Sequence, residues 1–251
     1  MKIIYFFIVI FSFISFLYAD SLHCVKYGES TYSSKYIFFG DKENKQIEFD
    51  WLFYLIVMEG KKILVDCGFY SKNLVKIYEV DYKDPILILQ ENGFSPQDIT
   101  DLIITHAHFD HIENAAHFTK ANIYIQEDEL NFFLKDKFSN KSVVSFLKSS
   151  KNIIAFKENY DFSPKMKIKK IGGHSVGSSI VEISFNNRKF ILASDECYLR
   201  RNYRDKIGVG AYYDHKKNMD FINGLNENEY EILLFHEAKD KNLNFFLIYE
   251  D

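Results

Sequence analysis

Four side chains of the kinds that bind divalent metals lie within six residues, at positions 106–111. In an extended chain, residues two apart face the same side, so His106 and His108 can converge on one ion. If a helix begins directly afterwards, Asp110 and His111 lie at its start and can face a neighbouring ion. Neutral imidazole and carboxylate groups suit zinc, and they also suit iron or manganese. The segment therefore predicts a centre of two divalent metal ions, with zinc preferred.

One such segment cannot fill two coordination spheres, so further ligands must come from elsewhere in the chain. His174 follows an apolar stretch and two glycines, Asp195 ends a second stretch, and His236 directly follows a third. Each position repeats one pattern, in which a ligand-type residue stands at the end of a predicted strand. Two metal ions about 3.5–4 Å apart would share a carboxylate and polarise a water molecule between them. We expect these three residues to complete the centre.

The elements that must position these residues follow from the alternation of apolar and polar side chains. We predict strands at 51–57, 62–65, 102–105, 122–125, 168–171, 179–185, 189–193, 232–235 and 245–249, and helices at 85–90, 127–135 and 217–224. Strands occur both as adjacent pairs and separated by helices, which is typical of a layered α/β protein with mixed sheets. The candidate ligands fall at or just past strand ends, where loops carry chemistry on a rigid scaffold.

Composition and charge exclude some classes of function. The 251 residues are 47% hydrophobic and 26% charged, which fits a globular protein with a sizeable core. The formal net charge is −4 and no long run of lysine or arginine occurs, so we expect no nucleic-acid partner. Cys24, Cys67 and Cys197 are widely spaced and form no metal-binding or dense disulfide pattern. We expect small buried side chains there, with one disulfide as the alternative.

The first 19 residues differ from the rest of the chain. Lys2 precedes an apolar stretch at 3–17, and Ala19 is a small residue before the polar Asp20. This arrangement predicts a signal peptide at 1–19 and an exported protein, and the absence of a linker or repeat after it predicts one domain at 20–251. An uncleaved leader that anchors the chain to a membrane and an unusually apolar first strand are the alternatives.

The complete ligand set resembles that of the metallo-β-lactamase superfamily, whose hallmark is His-x-His-x-Asp-His followed by a later His, Asp and His. All seven positions are filled here, by His106, His108, Asp110, His111, His174, Asp195 and His236. The turn Asp66-Cys67-Gly68 resembles the superfamily's early Asp-Thr-Gly turn, with cysteine in place of threonine. The resemblance implies an αββα sandwich, in which two mixed β-sheets are flanked by helices. It also implies a binuclear metal-dependent hydrolase.

Within that superfamily, the chain is most similar to the N-acyl homoserine lactone lactonases. Those enzymes carry a tyrosine three residues after the bridging aspartate, and Tyr198 stands at that position here. Two departures concern the surroundings of the site. Residues 112–114 replace a usual Gly-Gly pair and are expected to narrow or repolarise the pocket mouth, and Glu237 replaces an aspartate after the last histidine.

The resemblance implies which of these residues bind each metal ion and which take part in catalysis. His106, His108 and His174 would bind one metal ion; Asp110, His111 and His236 would bind the other; Asp195 would bridge them. A water shared by the metals would become the hydroxide that attacks an ester carbonyl. Tyr198 and Asp110 are the expected catalytic residues: Tyr198 donates a hydrogen bond to the carbonyl or leaving oxygen, and Asp110 handles the proton for the leaving alkoxide. The expected partner is a small-molecule ester, with a lactone preferred, and Asp66 would orient a ligand histidine.

Other hydrolases and one other reaction class share this ligand pattern in whole or in part. A thioester hydrolase resembling hydroxyacylglutathione hydrolase has all seven ligands, but it usually carries a C-terminal helical domain. A phosphodiesterase is a further alternative, whereas the best-known β-lactamases use cysteine where this chain has Asp195. Flavodi-iron oxidoreductases replace one histidine of the cluster with glutamate. A non-catalytic metal-binding module would not be expected to keep every ligand.

Overall fold

Two β-sheets stacked face to face form the centre of the molecule in the computed structural model, which describes residues 19–251. The first sheet has the order β13-β1-β2-β3-β5-β6-β7, with the short β4 paired to β1, and the second has the order β12-β11-β10-β9-β8. The strands are β1 Ser21–Ser33, β2 Gln46–Met58, β3 Lys61–Val65, β4 Asp81–Tyr82, β5 Asp101–Ile104, β6 Asn122–Gln126, β7 Ile153–Phe156, β8 Asn159–Ser163, β9 Met166–Lys170, β10 Ser179–Phe185, β11 Arg188–Leu192, β12 Glu231–Leu233 and β13 Phe245–Glu250. Each sheet contains parallel and antiparallel pairs, as predicted.

Helices cover the outer faces of both sheets. They are α1 Ser34–Ile37, α2 Lys72–Ile77, α3 Pro85–Glu91, α4 Phe109–Ile112, α5 Glu127–Lys135, α6 Lys141–Ser149, α7 Arg200–Arg204 and α8 His215–Gly224. Phe133 of α5 and Val143 of α6 pack on the outer face of the first sheet. Tyr203 of α7 and Ile222 of α8 pack on the outer face of the second. The predicted αββα sandwich is therefore confirmed. Among residues 19–251, no helix is both long and apolar enough to cross a bilayer.

Alternation along the central strands explains why both faces of the first sheet are buried. Trp51, Phe53 and Leu55 of β2 face the helices, whereas Leu52 and Tyr54 face the second sheet. A strand covered on both faces is expected to be apolar throughout, and every residue of β2 from position 49 to 58 is buried and hydrophobic except Asp50, which is buried and charged.

The sequence pattern missed β1, which contains Ser, His, Lys and Glu and therefore lacks an apolar signature. In the structure β1 pairs with both β2 and β13. Its Lys26 is only 3% exposed because Asp50 and Glu29 receive its ammonium group, at 3.1 and 2.7 Å. The pattern also missed α6, β7 and β8, whose places in the layers depend on contacts with distant parts of the chain. The predicted elements occur within a few residues of their predicted bounds; the largest difference is β2, which begins five residues early at Gln46.

The candidate ligands follow strands that end at one edge of the sandwich. The parallel strands β3 and β5 place Asp66 beside Thr105, the residue before His106, and the parallel strands β11 and β12 bring Asp195 and His236 together. The loop between β9 and β10 brings His174 to the same edge. Cys24, Cys67 and Cys197 are free and buried, and no disulfide joins them. The signal peptide predicted at 1–19 lies outside the described residues apart from Ala19, and it stays a prediction.

Candidate metal centre

Three imidazole nitrogens converge at the first half of the site. Nδ1 of His108 lies 3.0 Å from Nε2 of His106 and 2.9 Å from Nε2 of His174. His106 and His174 are buried, whereas His108 is exposed and forms the solvent side of the group. The alternation of an extended segment turns His106 and His108 to the same side, as the sequence predicted. The structure therefore brings these three residues together.

The second half of the site is made by Asp110, His111 and His236, all of which are buried. Asp110 and His111 lie in the single turn of α4, which begins directly after His108. Oδ2 of Asp110 is 3.3 Å from Nε2 of His111 and 3.7 Å from Nε2 of His236. The ring of Phe49 stacks on that of His236 at a centroid distance of 4.0 Å and holds it in place.

Asp195 lies between the two halves, and each of its oxygens faces one of them. Oδ1 is 3.2 Å from Nε2 of His111 and 3.0 Å from Nε2 of His236. Oδ2 is 3.4 Å from Nε2 of His106 and 3.3 Å from Nε2 of His174. Asp195 thus belongs to two sets of ligand atoms, each with all of its members within 4.8 Å of one another. This is the arrangement of a carboxylate that can bridge two cations.

Hydrogen bonds on the outer side of the rings decide which nitrogen faces inward with a lone pair. Nδ1 of His174 donates to the carbonyl oxygen of Ala211 at 2.8 Å, and Nδ1 of His236 donates to that of Asp50 at 2.9 Å. A carbonyl oxygen only accepts, so in the neutral ring Nε2 carries the lone pair. Nε2 of His236 and Oδ1 of Asp195 are then two acceptors that face each other. A cation between them removes this conflict, so the donor set fits a metal ion.

A buried nitrogen without a hydrogen bond supports the same conclusion. Nε2 of His111 is buried and makes no hydrogen bond within the described part of the chain. Its Nδ1 lies 2.7 Å from Oδ2 of Asp66. Asp66 therefore contacts a candidate ligand histidine, as expected of a residue that orients one. Buried polar atoms in folded proteins are nearly always satisfied, so an orphaned ring nitrogen beside two carboxylates indicates a position for a ligand.

Burial and neighbouring charges set the protonation of the site without metal. Burial and the charge of His111 lower the pKa of His106 to about 3, and burial lowers that of His174 to about 3. Burial acts in the same direction on His111, but the carboxylates of Asp110, Asp195 and Asp66 outweigh it and raise the pKa well above its usual value. Burial alone would raise the pKa of Asp110, but the charge of His111 lowers it to about 2. Without metal, a proton on His111 therefore balances part of the carboxylate charge.

Two cavities meet at His108, Phe109 and His174. The smaller, about 280 Å³, opens onto the ligand cluster and has aromatic walls that include Tyr32, Trp51 and Tyr78. The larger, about 690 Å³, extends between α2, α5 and the loop before α6. Concave apolar surfaces with a few convergent polar groups are typical of small-molecule sites.

Tyr198 also lines the smaller cavity, and its hydroxyl is 3.5 Å from Nδ1 of His174. Burial and the charge of Asp195 raise the pKa of Tyr198 well above its usual value. The phenol is therefore neutral at physiological pH and has a proton to donate. The structure brings Tyr198 and the seven predicted ligands to one edge of the sandwich.

The segment 112–114 differs in part from what its sequence predicted. Ile112 and Glu113 line the larger cavity, as expected of residues at a pocket mouth. Asn114, however, is fully buried and donates to the carbonyl oxygen of Cys67 at 3.0 Å. The carboxylate of Glu113 accepts hydrogen bonds from the backbone N–H groups of Tyr70 and Ser71, so it anchors a loop as well as lining the cavity.

Sequence reasoning did not single out two buried glutamates beside the cluster, Glu129 and Glu196. Glu129 lies in the amphipathic helix α5, where a glutamate is normally solvated, and Glu196 follows Asp195 without a spacing signal. Two glycines near His174 could have indicated that other groups pack closely against this loop; they are Gly173 and Gly177. Each lies so close to one of these glutamates that a side chain would not fit.

Relatives with similar sequences include N-acyl homoserine lactonases. That of Bacillus cereus is 24% identical over 189 residues, which cover 69% of this chain and 74% of the relative. N-acyl homoserine lactonase AiiA of Bacillus thuringiensis subsp. kurstaki is 25% identical over 175 residues, which cover 63% and 68%.

Solved structures show the same fold. A quorum-quenching N-acyl homoserine lactone lactonase superposes with a TM-score of 0.77 at 22% identity, over 90% of this chain and 96% of the other. AidC, a dizinc quorum-quenching lactonase solved with a product, superposes with a TM-score of 0.68 at 19% identity, over 92% and 94%. At these identities the likeness concerns the fold.

The model of the Metallo-beta-lactamase superfamily matches residues 52–227, which include six of the seven candidate ligands and end before His236. The match spans well over half of the chain. Together with the αββα sandwich and the His/Asp cluster at its edge, it shows that the chain belongs to the metallo-beta-lactamase superfamily and is a hydrolase of that fold.

Proposed function

We propose that the protein is a lactonase that uses two metal ions, held by the seven residues of the cluster. The position of Asp195 is the observation that carries this proposal, because its two oxygens face two separate groups of ligand atoms. His106, His108 and His174 would hold one ion, and Asp110, His111 and His236 the other. Zinc is the ion that we propose, since it prefers imidazole and carboxylate ligands, and AidC is a dizinc lactonase.

When bound, the metal ions supply an acidified water as nucleophile and polarise the carbonyl of the substrate. The protein's own residues then handle protons and position the substrate. Asp110 is ionised at neutral pH, because the charge of His111 lowers its pKa, so its carboxylate can receive the proton that the acidified water gives up. It passes this proton to the oxygen that leaves when the ring C–O bond breaks. The product is a hydroxy acid, and the reaction consumes one lactone and one water molecule.

Tyr198 is the proposed hydrogen-bond donor to the substrate. Its phenol keeps its proton at physiological pH and faces the smaller cavity, where the reacting carbonyl must lie. A donor aimed at an oxygen that gains negative charge stabilises the transition state more than the ground state.

We propose a lactone rather than another ester as the substrate for two reasons. The aromatic walls of the smaller cavity leave room for a compact ring beside the cluster. In addition, relatives with similar sequences are N-acyl homoserine lactonases, and one solved neighbour carries the product N-hexanoyl-L-homoserine at its catalytic metal center.

The test offers purified, zinc-loaded protein an N-acyl homoserine lactone, a thioester, a phosphodiester and a β-lactam. We expect turnover of the lactone, and we expect Asp195→Ala to lose both turnover and bound zinc. Asp101→Asn is a matched control, because Asp101 is an equally buried carboxylate at the opposite end of β5. Turnover of another substrate class without lactone turnover would refute the proposal that the substrate is a lactone. Full zinc content with full activity in Asp195→Ala would refute the proposal that the cluster holds two metal ions.

We also propose that residues 1–19 direct export of the protein. The support is the sequence alone: Lys2, the apolar stretch at 3–17 and the small residue Ala19. Cell fractionation and determination of the N-terminus test this proposal, with Asp20 expected as the first residue of the exported protein. A cytosolic chain that keeps residues 1–19 would contradict it.

A further inference from the structure

Two buried glutamates, Glu129 and Glu196, bind the loops that carry the first group of ligands without being ligands themselves. Glu129 is 2% exposed and Glu196 is fully buried. Neither belongs to the two sets of candidate ligand atoms. A buried carboxylate is costly unless its oxygens are satisfied, so the partners of each glutamate show what it does.

Glu129 joins two loops that are far apart in sequence. Its Oε1 accepts the backbone N–H of Ala107 at 2.9 Å, and Ala107 lies between His106 and His108. Its Oε2 accepts the hydroxyl of Ser175 and the N–H of Gly177, both at 2.8 Å. One carboxylate therefore connects the segment of two histidines to the loop that carries the third.

Glu196 holds the same His174 loop from its other side. Its Oε1 accepts the N–H groups of Gly173 and His174 at 2.9 and 3.0 Å, and the hydroxyl of Ser178. Its Oε2 accepts the side-chain amide of Asn218 at 2.9 Å. The loop is thus held by Glu196 at Gly173 and His174 and by Glu129 at Ser175 and Gly177.

The glycines in this loop show how closely the two glutamate residues and their neighbours approach it. A Cβ on Gly173 would lie 2.4 Å from Oε2 of Glu196 and 2.7 Å from the backbone N of Asn218. A Cβ on Gly177 would lie 2.1 Å from the side-chain oxygen of Gln126, 2.7 Å from the Cβ of Glu129 and 2.8 Å from the backbone N of Glu129. Only glycine leaves room for these neighbours at positions 173 and 177.

We propose that Glu129 is a positioning residue for one of the two metal ions, the one held by His106, His108 and His174, and that Glu196 supports it. All three of those histidines lie on the two segments that Glu129 joins. The other ion depends on α4, Asp66, the segment after β12 and the Asp195 that both ions share, and none of these contacts Glu129 through the bonds described above. The inference rests on the proposed function, because it assumes that the cluster holds metal.

The hydrogen-bond pattern predicts a graded effect of amide substitutions. In Glu129→Gln either orientation of the amide sets an NH₂ group against an N–H donor, because both oxygens of Glu129 accept backbone N–H groups. In Glu196→Gln the oxygen can keep all three bonds of Oε1, and the NH₂ group faces the side-chain amide of Asn218, which lies outside the two segments that carry the histidines. Glu129→Gln should therefore lower the zinc affinity of this position more than Glu196→Gln does.

The test measures zinc binding to the full-length protein, by titration of Zn²⁺ against a competing chelator with metal analysis. We expect the wild type to bind two equivalents, and Glu129→Gln to keep one and to bind the other about 10- to 100-fold more weakly, the usual effect of losing a residue that supports a ligand. Asp101→Asn is the matched control for a lost buried carboxylate. It should lower the melting temperature and leave both zinc affinities unchanged.

The outcomes separate this inference from the proposed function. A wild type that binds no zinc overturns both. A wild type with two zinc ions and a Glu129→Gln variant whose two affinities are unchanged, or are weakened equally, overturns the inference alone. If Glu129→Gln does not fold, Ser175→Ala removes one hydrogen bond to Glu129 and should weaken the same single ion by a smaller factor. Two unchanged affinities in Ser175→Ala would then overturn the inference.

Discussion

Asp66→Asn is the substitution that should weaken the second metal ion while it leaves the first unchanged. Asp66 is fully buried, and its carboxylate accepts three hydrogen bonds: from Nδ1 of His111 at 2.7 Å, from the hydroxyl of Thr105 at 2.7 Å and from the N–H of Thr105 at 2.8 Å. Its φ of +63° is a left-handed conformation, which Asn adopts more readily than Ala. Asn therefore tests the carboxylate without straining the backbone.

The size of the effect follows from these bonds. The Asn oxygen can keep the bonds from His111 and from the Thr105 hydroxyl, so its NH₂ group faces the Thr105 N–H and one bond is lost. Such a buried mismatch costs about 1–3 kcal/mol of stability. For a chain of this size each kcal/mol lowers the melting temperature by about 2–4 °C, so a decrease of roughly 2–12 °C is expected without metal. Loss of the negative charge behind His111 should weaken one zinc ion about 10- to 100-fold, or roughly 1.4–2.7 kcal/mol.

The assay is the same zinc titration, together with thermal unfolding of the metal-free protein. A folded Asp66→Asn variant with both zinc affinities unchanged would refute the reasoning. The double variant with Glu129→Gln gives a sharper test. If the two residues act on different ions, their effects are independent, and the double variant holds neither ion at a zinc concentration that leaves one in each single variant. If the double variant still holds one ion, both residues act on the same position.

Three further predictions concern catalysis, the His174 loop and the metal itself. Tyr198→Phe should lower kcat by about 10²–10³-fold and keep the full zinc content, because it removes one donor to the developing oxyanion; an unchanged kcat would contradict the role of Tyr198. Gly173→Ala should destabilise the protein by about 1–3 kcal/mol in chemical denaturation, because its Cβ meets backbone, whereas Gly224→Ala, which has open space, should not. Removal of zinc by a chelator should lower the melting temperature, since an ion at 1,000 times its Kd stabilises by about 4 kcal/mol; equal melting curves with and without zinc would count against a resident metal.

Much of the site could be predicted from local features of the sequence. The ligand types, their spacing and their place after apolar stretches are properties of short segments. The same is true of α3, where Asp84 accepts the N–H of Ile86 at 2.8 Å and Pro85 begins the helix. The segment 112–114 shows the limit of such reasoning, because replacing glycines predicts side chains in the pocket mouth but not that Asn114 turns into the core to bind Cys67.

The sequence by itself therefore determined the chemistry of this protein: the donor set, the strands that end in it, and the layered α/β fold. Those properties depend on periodicity and residue type within a few positions. Only the tertiary structure decided how the donors are held. β1 lies inside the first sheet although its sequence is polar, because it pairs with positions 46–57 on one side and 245–250 on the other. Glu129 supports the site because folding brings Ala107 and Gly177, 22 and 48 residues away, to its two oxygens, and no local pattern encodes such a contact.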